Sequence, residues 1–180
     1  MTFQHLRELH RADRARATGV AAATGQARAS LTPGRAAVIL YRFTQYFSQN
    51  DHRLLARLCW QLNHFLTSAD LSPGSDIGPG LVILHPAAVM IHGRAGRNLT
   101  VVGRGGFGGG LGTEDVGAGP GFAWVGDDVT LDMGAMILGA QRIGHRVHIG
   151  PNCTVIQSLP DDAVVLPLEP RVRAPAPASA

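Results

Sequence analysis

Val125–Pro160 decides the fold. Cut into sixes it reads Val125-Gly-Asp-Asp-Val-Thr, Leu131-Asp-Met-Gly-Ala-Met, Ile137-Leu-Gly-Ala-Gln-Arg, Ile143-Gly-His-Arg-Val-His, Ile149-Gly-Pro-Asn-Cys-Thr and Val155-Ile-Gln-Ser-Leu-Pro. The first slot is always aliphatic. The fifth is mostly small or β-branched, as at Val129, Ala135, Val147 and Cys153. A helix repeats at about 3.6 residues and a strand at 2, so neither accounts for a period of six. Short strands separated by tight turns do, with each turn placing one aliphatic residue above another. Hexapeptide periodicity of this kind marks a parallel β-helix.

Outward from that stretch, the sixfold pattern first appears at Ile77 and runs through Ile83-Leu-His-Pro-Ala-Ala and Val89-Met-Ile-His-Gly-Arg. It then slips, short by one residue, around Ala95–Asn98. Gly103–Gly121 is very rich in glycine, with Glu114 and Asp115 its only acids, and reads as a loop leaving the coil. No βαβ unit surrounds it, so it is not a dinucleotide-binding turn. Phe3–Arg16 has helical spacing, and Ala17–Ser30 reads as a weakly ordered linker. Helices are expected at about 35–48 and 51–67, the second capped by Asn50 or Asp51. The expected organisation is a helical segment over 1–69, a β-helix over 70–166 with its Gly-rich loop at 103–121, and a proline-punctuated tail over 167–180.

Composition narrows the function. The 180 residues are 45% hydrophobic and 16% charged, enough apolar material for a core. The net charge is +3, every basic residue beside histidine is arginine, and the arginines are scattered. A nucleic-acid binder shows a basic stripe interleaved with aromatics, so that class is excluded. Met1–Arg16 is polar and charged, unlike a secretory leader, and no apolar run reaches the roughly 18 residues of a membrane span. A cytoplasmic protein is expected. Cys59 and Cys153 stand far apart without metal spacing, and Cys153 fills an inward slot. His145 and His148 share a coil but lack a third ligand, so no metal is expected.

Catalytic chemistry points to His85. A carboxylate aimed at one ring nitrogen fixes a histidine's tautomer and leaves the other nitrogen to accept a proton. Asp70 and His85 form such a pair if the chain stacks one above the other; Asp70 serves equally well as a turn residue. His92, at a coil corner, is a second candidate.

Asp70-Leu-Ser-Pro-Gly-Ser-Asp-Ile-Gly-Pro-Gly-Leu-Val-Ile-Leu-His85 resembles the segment that opens the β-helix of serine O-acetyltransferases. Gly134-Ala-Met-Ile-Leu-Gly139 and Ile149–Asp162 are similar to that family's later coils, and Arg171 stands in its closing Gly-Val-Pro-Ala-Arg turn. The resemblance covers roughly 36–173. It implies a mainly β protein, a left-handed parallel β-helix of hexapeptide repeats behind an N-terminal α-helical segment. It also implies a homotrimer with acetyl-CoA, the acyl donor, bound between coils of two subunits. His85 becomes the general base and Asp70 its orienting carboxylate. Gly108 and Gly109 face the oxyanion, and Met133, Pro151 and Arg171 lie along the coenzyme.

Two departures bear on the acceptor. Serine-specific members carry Asp immediately before the catalytic histidine, where this chain has Leu84. They also carry an Arg-His pair after the loop, where this chain has Gly119-Pro-Gly-Phe-Ala-Trp124. Loss of such charge-assisted contacts weakens binding of an amino-acid zwitterion. The expected acceptor is therefore a hydroxyl on another small molecule or a saccharide. Serine acetyltransferase proper is the alternative, and a non-catalytic scaffold the rival from outside enzymes.

Overall fold

The computed structural model describes residues 1–23, 31–110 and 112–168. Three helices come first: α1 (Phe3–Ala23), α2 (Pro33–Gln49) and α3 (Arg53–Thr67). α1 runs through Ala17–Ala23, where the sequence suggested a linker. Four of those seven residues are alanine, the best helix former, and the single Gly19 costs only about 1 kcal/mol. Residues 24–30 of that expected linker lie outside the described residues. Thr32 caps α2, its side chain accepting from the Arg35 N–H at 3.2 Å, with Pro33 as the first helical residue. α3 starts two residues later than expected. Asp51 takes a positive φ of 60°, and His52 occupies the cap without a side-chain bond.

Short strands then stack on three faces, all parallel. Face one holds β1 (Asp70–Leu71), β4 (Met90–Ile91), β7 (Gly106–Gly108), β10 (Met136–Leu138) and β13 (Thr154–Val155). Face two holds β2 (Asp76–Ile77), β5 (Gly93–Ala95), β8 (Ala123–Val125) and β11 (Arg142–Ile143). Face three holds β3 (Val82–His85), β6 (Thr100–Gly103), β9 (Thr130–Leu131), β12 (His148–Ile149) and β14 (Val164–Val165). The core is three inward columns. Leu71, Ile91, Phe107, Ile137 and Val155 form one; Ile77, Ala95, Val125 and Ile143 the second; Ile83, Val101, Leu131, Ile149 and Val165 the third. Each buried aliphatic side chain contributes about 1.5–3 kcal/mol.

The frame slips earlier than the sequence suggested. Ile91, not Val89, enters the column on face one, eight residues after Ile83 and four before Ala95. The corner between β3 and β4 is thus two residues longer than a regular coil, and the next corner two shorter. Ala88, at φ 58°, closes the longer one, and its N–H reaches the Ser68 carbonyl. The glycine run differs too. β7 lies inside the segment read as loop, because a Cβ on Gly106 would overlap the Met90 carbonyl of the adjacent coil. The excursion begins only at Gly109. It lengthens the coil step from 18 to 30 residues on faces two and three.

A buried ionic network joins helices to coils. Arg42, wholly buried in α2, donates to Asp13 of α1 at 2.8 and 3.0 Å, and to the carbonyls of Ile77 and Gly78 at 2.6 and 2.7 Å. Asp13 also accepts from the N–H groups of Gly80 and Leu81, both at 2.8 Å. Removing one partner of such a pair strands a buried charge, at a cost of about 3–5 kcal/mol. Asp13→Ala is expected to lower unfolding free energy by about that amount in urea titration, and adding Arg42→Met to recover part of the loss.

Candidate active site

β3 ends at His85, and the register sets it beside Gly103 of the next coil. A side chain on Gly103 would come within 2.8 Å of the His85 Cβ and 3.3 Å of the Met133 Sδ. The missing side chain therefore lets His85 and Met133 share one corner of the stack. The Asn152 N–H donates to the Met133 carbonyl at 2.9 Å, which brings Pro151 to the same corner one coil further on. His85 is exposed, and among the described residues no hydrogen bond or ion pair engages its ring.

Asp70 is held elsewhere. It opens face one, and among the described residues no hydrogen bond or ion pair joins it to His85, contrary to the pairing expected from sequence. The Trp60 indole of α3 donates to Asp70 Oδ1 at 2.8 Å. Nε2 of His92 stands 3.1 Å from Asp70 Oδ2, at ion-pair range but off the line of a hydrogen bond, and that nitrogen is buried without another partner. The slipped frame is the cause. Asp70 pairs with Met90, so the shortened turn two residues on brings His92 beneath the carboxylate. Ser75 pins that turn, its hydroxyl donating to the Ile91 carbonyl at 2.8 Å and accepting from the Gly93 N–H at 3.3 Å.

Gly108 closes β7 on the same face. A Cβ there would meet the Met90 methyl at 2.7 Å and stand 3.9 Å from the His92 Cβ. A Cβ on Gly109 would stand 3.3 Å from Phe122. Phe122 in turn lies 6.4 Å from the His92 ring, tilted by 48°. The residues named from sequence thus gather in two groups. His85, Met133 and Pro151 share one corner; Asp70, Gly108 and Gly109 share face one with His92. Arg171 lies outside the described residues. Trp60 and Phe122 were not singled out from sequence as site residues. The one available signal was the position of Trp60 on α3, ten residues ahead of Asp70.

The Gly-rich excursion is folded onto the stack. Asp115 Oδ1 accepts from the N–H groups of Gly117 and Gly119 at 2.7 and 3.0 Å, which holds its carboxyl below the usual range. Arg142 lies over the Trp124 ring, 5.0 Å from its centroid, and donates to the Val116 carbonyl at 2.9 Å. His145 and His148 each face a neighbouring coil: Nδ1 of His145 accepts from the Asp127 N–H at 3.0 Å, and Nε2 of His148 lies 2.8 Å from Asp132. Among the described residues no cluster of three or more His, Cys, Asp or Glu could hold a metal ion. Nor is any helix long and apolar enough to cross a membrane.

Comparison with known proteins joins these observations. The chain is 33% identical over 132 residues to a serine acetyltransferase of Helicobacter pylori, covering 72% of this chain and 75% of that one. The chain belongs to the serine acetyltransferase family. It is also 35% identical over 136 residues to the Mycobacterium tuberculosis serine acetyltransferase, covering 74% of this chain and 58% of the relative. Serine acetyltransferase isoform 3 of Entamoeba histolytica, solved with cysteine, superposes with a TM-score of 0.78 at 26% identity, covering 97% of this chain and 62% of that one. The chain therefore spans little more than half the length of some relatives. The three-faced stack is the left-handed β-helix of those enzymes. No family model matches the chain. The relatives favour the serine acetyltransferase alternative over the sequence-based preference for another acceptor.

In this member of the serine acetyltransferase family, Asp70 depends on α3 for its position. A hydrogen bond to a charged acceptor contributes about 1.5–3 kcal/mol when buried, and less here because Asp70 is partly exposed. Trp60→Phe keeps the ring and removes the N–H. It is expected to lower stability by about 1 kcal/mol in urea titration.

Proposed function

We propose that this chain is an acetyl-CoA-dependent serine O-acetyltransferase. The observation that carries the reading is its likeness to serine acetyltransferases over most of its length. His85 is the general base. It takes the proton of the acceptor hydroxyl as the oxygen bonds to the thioester carbonyl carbon. The carbon–sulfur bond then breaks, and the departing thiolate recovers the proton from the imidazolium. An exposed imidazole with no hydrogen-bond or ion-pair partner inside the chain is free to take up that proton.

The backbone at Gly108-Gly109 receives the oxyanion, and Met133, Pro151 and Arg171 line the coenzyme. Asp70, engaged by the Trp60 indole and facing His92, does not orient His85 within the chain. The working form is a homotrimer with the donor bound between subunits. An exposed apolar stripe on α3, formed by Leu54, Leu58, Leu62 and Phe65, is consistent with association. The cytoplasm suits the two free cysteines. A second reading, a different small-molecule or saccharide hydroxyl as acceptor, draws on Leu84 and Phe122, which supply no charge for a zwitterion.

Positioned general-base catalysis is worth about 10²–10⁴-fold. His85→Ala is expected to lower kcat by that factor while leaving acetyl-CoA affinity nearly unchanged, as read by thiol release with L-serine. Near-full activity of the variant would reject the assignment. Light scattering at micromolar concentration is expected to give three chain masses; a monomer would rule out a shared site.

A further inference from the structure

The assigned reaction leaves His92 without a role. It is nonetheless the best-placed basic group on face one: the five strands of that face contain neither arginine nor histidine, and His92 directly follows β4. Three contacts fix its ring. Asp70 stands at Nε2, the Phe122 ring lies on one side, and the Gly108 strand end runs below. Nε2 is buried while 29% of the side chain remains exposed, so the accessible nitrogen is Nδ1.

Phe122 and its neighbours Gly119–Trp124 supply no charge at this point. We propose that His92 supplies the cation of this face and binds the acceptor's carboxylate through Nδ1. The proposal rests on the serine acetyltransferase reading and names the acceptor class: a hydroxyl compound bearing a carboxylate. A protonated imidazole has two N–H donors. One faces Asp70 and the other is left for a second carboxylate, so the ring bridges two anions. Phe122 keeps water from one side of that contact and strengthens it. Arg142 is spent on Trp124 and Val116, and Arg94 belongs to face two.

The test is steady-state kinetics on the full chain with acetyl-CoA and two acceptors, L-serine and L-serinamide, which lacks the carboxylate. Wild type is expected to show a KM for L-serine at least about tenfold below that for L-serinamide. His92→Ala should raise the L-serine KM by that factor and abolish the preference, with kcat and the acetyl-CoA KM within about twofold of wild type. His92→Lys, which restores a cation, should recover part of the preference. An unchanged L-serine KM in a folded His92→Ala protein overturns the proposal, as does a collapse of kcat at constant KM, which would make His92 the base. Wild type inactive on both acceptors rejects instead the serine reading on which the proposal rests.

Discussion

Every coil must place one aliphatic side chain above the last while its backbone bonds to the coils on either side, and the rest of the molecule follows from that constraint. It leaves little tolerance at the corners. Gly106 must be glycine because the neighbouring backbone occupies the space of a side chain, and Asn98, Asp128, Arg146 and Asn152 take positive φ to turn the chain within the available residues. Asn98 then donates from its amide to Asp128 one coil further on at 2.8 Å, so the polar corners stack as the apolar columns do. A parallel stack buried in this way has no need of long strands. Two residues per face suffice when many coils repeat the contact.

The first coil is exposed at its end and lacks a preceding coil to pair with. The helices cover it. α2 packs Tyr41 and Val38 against the columns that begin with Leu71 and Ile77, and the Tyr41 hydroxyl donates to the Ser75 carbonyl at 3.0 Å. Burial pushes that hydroxyl's pKa well up, so it stays a donor. Arg42 and Asp13 bind the open carbonyls and N–H groups at residues 77–81, work that a neighbouring strand performs elsewhere in the stack. The helical cap is thus continuous with the site. The helix bearing Trp60 is set by Asn63, whose amide donates to the Ala37 carbonyl of α2 at 3.0 Å.

The architecture was legible because its signal repeats. Six aliphatic first slots from Val125 to Val155 carry it, and the inward columns contain all six. The resemblance of the segment ending at His85 also led to the right family. That Asp70 and His85 do not pair within the chain was not legible, because a residue's place on a three-faced stack depends on every insertion before it. Two residues gained at Pro86–Ala88 and two lost after Ile91 leave the overall count intact, so a scan by sixes passes over them. The glycine run misled for a related reason. Composition does not distinguish glycines required by stacking, such as Gly103 and Gly106, from those of the excursion that begins at Gly109.

That compensated slip gives the site its two imidazoles. A regular coil would put Val89 in the inward column and turn the chain two residues earlier. With the longer corner, His85 stands exposed where the chain leaves face three. With the shorter one, His92 lies against face one beneath Asp70 and beside Phe122. One carboxylate is already engaged by an indole and an imidazole, so within the chain it does not orient His85 as well. His85 needs a partner from outside the chain or works unassisted, and a neighbouring subunit at the same corner would meet the first condition. The homotrimer proposed above would supply a second copy of the chain to both the apolar stripe on α3 and the unpartnered His85.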